Sequence, residues 1–357
     1  MRRILNNQKL RDSVIEFNKK LFTSRSDDFE MPYQRLRFLN KHVVHHAPEY
    51  GDGAAEKLNR YVKKIRRQYS RILNADDVEI LKLIAEFEEI IPHAQIKEKF
   101  WKAVVWAMRY DAIRDQEFLK ILNPLGIKTC VYCHSQLTLV IKKKIAKNKV
   151  VAKGIVLGDV LKWKGLLELD HRHPKSKYPF LCTSFFNLYP ICGSCNKAKN
   201  DNHSDFSLYH EGPDLNLFHF SLPDNAVVEY LKNKNREAIV INFTHINQGI
   251  AENDKLAADY DKMFSISGIY GTQKDIIEEL IHKQQVYTKD YNKALIKDFT
   301  ALFPDKGLFT RLVIGTYENE NDVFRRPMSK FIQDISRNIQ LIDEHGNLCQ
   351  LPEEDPG

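Results

Sequence analysis

Two cysteine knuckles, Cys130-Val-Tyr-Cys133 and Cys192-Gly-Ser-Cys195, restrict this chain more than any other feature. A CxxC turn aims two sulfurs at one point, so two such turns can close a tetrahedral site of four thiolates. Any fold the chain adopts must then bring residues 130 and 195 together. Four thiolates leave no open coordination position, which makes the expected ion a structural Zn²⁺. Four unrelated buried thiols fit this spacing less well. So does a redox CxxC, since there are two knuckles and no βαβ pattern around them. Cys182 and Cys349 fall outside the pattern and read as ordinary thiols.

The rest of the composition supports metal over disulfide. With 357 residues, 43% of them hydrophobic, the chain can bury a sizeable core without covalent staples. No apolar run reaches the length of about 18 residues needed to span a bilayer. The start, Met-Arg-Arg-Ile-Leu-Asn-Asn-Gln, lacks the apolar core of a signal peptide. The expected location is cytoplasmic, away from membranes, where thiols stay reduced.

Charge is unevenly distributed. Residues 128–199 carry 14 Lys and Arg against 3 Asp and Glu, a net of +11, so the remainder carries −4 of the overall +7. Lysine and arginine displace counterions from phosphates, so a basic segment beside a reactive site suits a polyanion such as DNA. Charge alone does not separate that use from a solvated lysine-rich loop.

Apolar periodicity predicts an α+β chain that is predominantly helical, in three segments. Residues 1–122 read as a helical domain, with helices over 11–21, 34–44, 54–73, 77–90 and 96–114. Asn74 or Asp76 is the expected cap of the fourth, and Gly51-Asp52-Gly53 marks a turn. Residues 123–210 hold the knuckles. Within them, strands over 137–141 and 150–157 are expected to form a hairpin, with Lys142-Lys143-Lys144 and Lys147-Asn148-Lys149 between the strands. A short strand over 166–169 should deliver Asp170 and His171. His134, beside a knuckle cysteine, is expected at the surface. Residues 211–357 read as mixed and mainly helical. Strands are expected over 214–220 and 238–243, and helices over 253–264, 272–303 and 328–342. The tail from Pro352 is expected to fray.

Between the knuckles lie residue types suited to phosphodiester hydrolysis. That reaction needs a base for water and a cation on the scissile phosphate. His171 is suited to the first task near neutral pH. Asp170 and an asparagine amide oxygen are hard ligands suited to Mg²⁺ or Mn²⁺. A histidine acting as base also needs an acceptor on its other ring nitrogen, and an asparagine can supply one.

Together, Cys130-x-x-Cys133, Leu169-Asp170-His171-x-x-Pro174-Lys175, Asn187-Leu-x-Pro190 and Cys192-x-x-Cys195-Asn196-x-x-Lys199 resemble the HNH endonucleases of the ββα-metal group. The resemblance covers about 70 residues. It implies a zinc-stapled ββα-metal core in which His171 is the general base and Asp170 a ligand of the catalytic Mg²⁺ or Mn²⁺. It implies that Asn187 orients His171. Asn196 becomes the second ligand, at the position where many members carry a histidine. Lys175, Lys199 and His173 become candidate substrate contacts. The helical flanks resemble nuclease partners of ATPases in Septu-type and retron-linked antiphage systems, which implies an ATPase subunit as partner. The alternative reading is a non-catalytic, zinc-stapled nucleic-acid-binding subunit of a larger assembly.

Overall fold

Helices supply most of the regular structure, and short two-stranded ribbons supply the rest of it. The computed structural model describes residues 1–23, 30–50, 55–150, 154–299, 301–303 and 306–349. The turn at 51–53 and the tail from Pro352 lie outside them. The chain divides into two compact units, one of residues 3–126 and 138–213, the other of residues 1–2, 127–137 and 214–357. This partition differs from the three segments read along the sequence. It groups the N-terminal helices with the Asp-His region, and the first knuckle with the C-terminal part.

The first unit opens with strand β1 (Ile4–Leu5), followed by helices α1 (Gln8–Thr23), α2 (Pro32–His45), α3 (Ala55–Arg67) and α4 (Tyr69–Asn74). Then come α5 (Asp77–Glu88), α6 (Glu98–Ala107), α7 (Tyr110–Arg114) and α8 (Glu117–Leu122). The apolar stripe of α3 is buried through Leu58, Tyr61, Val62 and Ile65, burial worth about 1.5–3 kcal/mol for each large aliphatic side chain. Two expected helices are broken. The one over 54–73 stops at Gln68, which leaves the helical region at φ −107° and ψ 18°. The one over 96–114 stops at Arg109, in the left-handed region at φ 64°. Asp76 caps α5 by accepting from the Glu79 amide at 2.9 Å, as its type predicts.

The lysine-rich hairpin forms from strands other than those expected. They are β2 (Leu139–Ile145) and β3 (Val160–Leu166), paired antiparallel. The triplet Lys142-Lys143-Lys144 therefore lies within β2 and not in the connection. Residues 150–157 form no strand among the described residues beyond a bridge between Val150 and Ile155. The β-branched run was misleading because a ribbon whose residues are largely exposed selects little against lysine. Next, β4 (Glu168–His171) pairs antiparallel with β5 (Leu188–Ile191), in a register that sets Asp170 opposite Tyr189 and His171 opposite Leu188. Helix α9 (Gly193–Lys199) follows directly. Strand β6 (Tyr209–His210) returns to pair in parallel with β1.

In the second unit β7 (Phe218–Ser221) pairs antiparallel with β8 (Asn242–His245). Helices α10 (Ala226–Asn233), α11 (Ala251–Phe264), α12 (Ile266–Gly271) and α13 (Lys274–Val286) are followed by α14 (Lys289–Asp298), α15 (Lys306–Ile314) and α16 (Ser329–Asn338). The single long helix expected over 272–303 is divided between α13 and α14. Thr288 begins a new helix there, its hydroxyl accepting from the Tyr291 amide. An aromatic cluster of Phe218, Phe220, Tyr260, Tyr270 and Phe331 forms the core of this unit, and each of these side chains is at most 3% exposed. No helix among the described residues is long and apolar enough to cross a membrane.

Candidate functional site

The first knuckle is held by its carbonyls. The Cys130 amide donates to the Gln136 carbonyl at 2.9 Å and the His134 amide to the Cys130 carbonyl at 2.8 Å. The Tyr260 and Tyr270 hydroxyls donate to the carbonyls of Tyr132 and Cys133 at 2.7 and 2.8 Å. The ring of Tyr132 stacks on Phe264 at 4.4 Å. His134 is fully buried and not at the surface. Its ring packs 4.9 Å from Phe324, and burial lowers its pKa to about 3, so it is neutral. The position beside a cysteine misled because the knuckle turns this side chain inward, at φ 53°.

The second knuckle begins α9, where the Cys195 amide points at the Cys192 sulfur at 3.5 Å. Ser135 donates to the Cys133 sulfur at 3.2 Å. Both contacts favour thiolates. Cys130, Cys133, Cys192 and Cys195 are buried, and their sulfurs lie within 4.8 Å of one another. Metal–sulfur bonds of about 2.3 Å place sulfurs about 3.8 Å apart in a tetrahedron. The donor set therefore fits a metal such as zinc.

The Asp-His pair belongs wholly to the unit of α1–α9. Asp170, His171, Lys175, Asn196 and Asn200 are among the residues lining a small cavity of about 210 Å³. Strand β4 ends there, and its pairing with β5 fixes which face Asp170 and His171 present. His171 is 6% exposed, and its Nε2 lies 3.0 Å from the Cys182 carbonyl oxygen. A carbonyl only accepts, so Nε2 carries the proton and Nδ1 holds the lone pair in the neutral ring. Burial, with the nearby cations Lys175, Lys199 and Arg114, lowers the His171 pKa to about 3. The ring is then neutral at physiological pH. The Tyr110 ring packs 4.8 Å from it.

Asn187 occupies a different role from the one expected. Its Oδ1 accepts from the His173 amide at 2.8 Å, and its Nδ2 donates to the carbonyls of His173 and Leu181, both at 3.2 Å. It fixes the loop that follows His171, and the partner of the His171 ring is the Cys182 carbonyl. Residue type cannot reveal this, because every residue carries a carbonyl.

Lys199 also departs from expectation. It is completely buried, and its ammonium lies 3.1 Å from Asp170 Oδ1 and 3.0 Å from the His171 carbonyl. It is therefore an internal ion-pair partner and not a surface contact for phosphate. His173 is 5% exposed, packed 5.8 Å from the Tyr178 ring and 6.1 Å from that of His203, and it does not line the cavity. Lys175 does line it, with Nζ 4.9 Å from the centre of the Tyr110 ring.

Asn196 reaches the cavity from α9. Its Nδ2 donates to Glu168 Oε2 at 2.6 Å, which leaves Oδ1 as the atom suited to a cation. Glu168 was absent from the expected set, although a signal existed. It precedes Asp170 by two residues on β4, and alternate residues of a strand share a face.

Beside this cavity lies a larger cleft of about 550 Å³ that shares Leu169, Lys175 and Asn196 with it. Comparison with protein-family models, curated proteins and solved structures finds no match to this chain.

Proposed function

We propose that this protein is a metal-dependent endonuclease of the HNH, ββα-metal kind, hydrolysing phosphodiester bonds in DNA. One observation carries the reading: a neutral histidine with a fixed tautomer lines the same small cavity as an aspartate and an asparagine. In this reading His171 Nδ1 takes a proton from the attacking water, while the Cys182 carbonyl holds Nε2–H and thereby the ring orientation. Asp170 and Asn196 are the ligands of Mg²⁺ or Mn²⁺. The cation, when bound, supplies charge stabilisation at the scissile phosphate and the leaving oxygen. Lys175 faces the substrate, and the four cysteines hold a structural Zn²⁺.

The test is nicking of supercoiled plasmid with Mg²⁺ or Mn²⁺, with and without EDTA, by the wild type and His171→Ala. Cation-dependent nicking that disappears in the variant supports the reading. Nicking that survives the substitution removes His171 as base.

A specific observation favours a second reading, a nucleic-acid-binding subunit without catalysis. The Lys199 ammonium already supplies a cation to Asp170 at 3.1 Å. In that case DNA binds without being cut, whatever divalent cation is added.

A further inference from the structure

The cleft of about 550 Å³ beside the Asp-His cavity is bounded by α7 and the start of α8 on one side and by the β2–β3 ribbon on the other. Five cations line it, Arg114, Lys143, Lys162, Lys164 and Lys175, against the carboxylates Asp115 and Glu168. Arg114 is already paired, at 2.8 Å from Asp115 and 3.8 Å from Asp111. The four lysines form no ion pair among the described residues. Trp163 also lines the cleft and is half-buried.

The wall that carries Trp163 is built rigidly. The Gln116 side chain brackets its peptide groups, with Nε2 donating to the Trp163 carbonyl at 3.1 Å and Oε1 accepting from its amide at 3.2 Å. Two residues on, Gly165 lets the strand approach α8 closely, because a Cβ there would lie 3.1 Å from Leu119 Cδ2. The ribbon is thus fastened to the helices at both Trp163 and Gly165.

We infer that this cleft binds an unpaired stretch of nucleic acid next to the cavity of His171. The lysines supply the phosphate contacts. The indole supplies a face on which a base can stack, and a base is available for stacking on a side chain only when it has left the duplex stack. The shared residues Leu169, Lys175 and Asn196 make the cleft continuous with the cavity, so a strand held there reaches the Asp-His pair. The inference rests on the nuclease reading for its consequence, a preference for single-stranded substrate, but the binding itself does not depend on cleavage.

The experiment measures fluorescence anisotropy of labelled single-stranded DNA, the same sequence as RNA, and the corresponding DNA duplex. It uses the whole 357-residue chain with no divalent cation added. At least one single strand should bind about tenfold or more tightly than the duplex. Trp163→Ala should weaken that binding by about 5- to 150-fold, the range for loss of one stacked base, and change duplex binding less than twofold. Trp163→Phe, which keeps a ring, should retain most of the affinity, and Trp101→Ala should match the wild type. Lys162→Glu with Lys164→Glu should weaken single-strand binding and flatten its salt dependence.

Equal binding of single strand and duplex overturns the inference. So does full single-strand affinity in a Trp163→Ala protein whose circular dichroism is that of the wild type. If the wild type fails to nick DNA yet binds single strands through Trp163, the nuclease reading falls and the cleft assignment stands. If it nicks DNA but ignores Trp163, the reverse holds.

Discussion

The imidazole Nε2 of His171 donates to the backbone carbonyl of Cys182 at 3.0 Å. The residue that orders the candidate base thus contributes no side chain to the task. Cys182 itself is fully buried and its thiol pKa is pushed upward by burial, so the sulfur is inert. Cys182→Ala should therefore keep plasmid nicking within about threefold of the wild type. His171→Ala should lose about 100-fold or more, the usual contribution of a general base. Initial nicking rates check both. A Cys182→Ala loss as large as that of His171→Ala would mean the thiol acts directly.

Asn187 places three hydrogen bonds on the loop after His171. Net contributions of about 1 kcal/mol each, and the penalty for unmet buried partners, predict that Asn187→Ala costs about 2–4 kcal/mol. Denaturant unfolding measures the loss. Asn187→Asp keeps the acceptor to His173 and loses both donors, so it should destabilise too. A variant as stable as the wild type would show that the loop is fixed by other contacts.

Lys199 and Asp170 form an ion pair with both side chains almost fully buried. Removing one partner of such a pair leaves an uncompensated charge and costs about 3–5 kcal/mol. Lys199→Met alone should lower stability by that order, and Lys199→Met with Asp170→Asn should recover part of it. The double-mutant cycle is read by urea unfolding. Additive losses would show that the two charges do not interact.

The four clustered thiols predict about one zinc per chain. Cys192→Ser should abolish it by metal analysis. It should also lower Tm by more than about 5 °C, since 1 kcal/mol is worth about 2–4 °C in chains of 150–250 residues. Exhaustive chelation of the wild type should reproduce the shift. A Cys192→Ser protein with full zinc content would disprove the cluster as the metal site.

His173 is buried beside Arg172 and His203, and burial first lowers its pKa to about 3. Its unfolded value is about 6.5. A depressed histidine pKa means that the unfolded chain takes up the proton more readily. The neutral ring is accommodated above about pH 6.5, and stability is lost as pH falls from there toward 3. At pH 5 the cost is about 2 kcal/mol from this group. His173→Phe should reduce the slope of Tm against pH between 7 and 5. An unchanged slope would place the sensitivity elsewhere.

Several elements were legible in the sequence because their cause is local. Asp76 caps α5 through its own side chain, and the stripe of Leu58, Tyr61, Val62 and Ile65 follows the helical period and is buried. Thr288 was equally local, but an apolar period running across 272–303 obscured it. The β2–β3 ribbon failed as a prediction because its residues are largely exposed and carry little alternation.

Local sequence dictates which groups are available: four thiols in two tight turns, an Asp-His pair and Asn187 between the two knuckles, and Asn196 just beyond the second. Spacing sets this because a turn is a property of a few neighbouring residues. What each group faces is set by packing between distant segments. That packing set a backbone carbonyl on His171, turned Asn187 onto the loop, drew Lys199 inward to Asp170, and set Glu168 on Asn196. These contacts join residues 11 to 29 positions apart. They depend on the β4–β5 register and on burial, and neither is encoded at any one position.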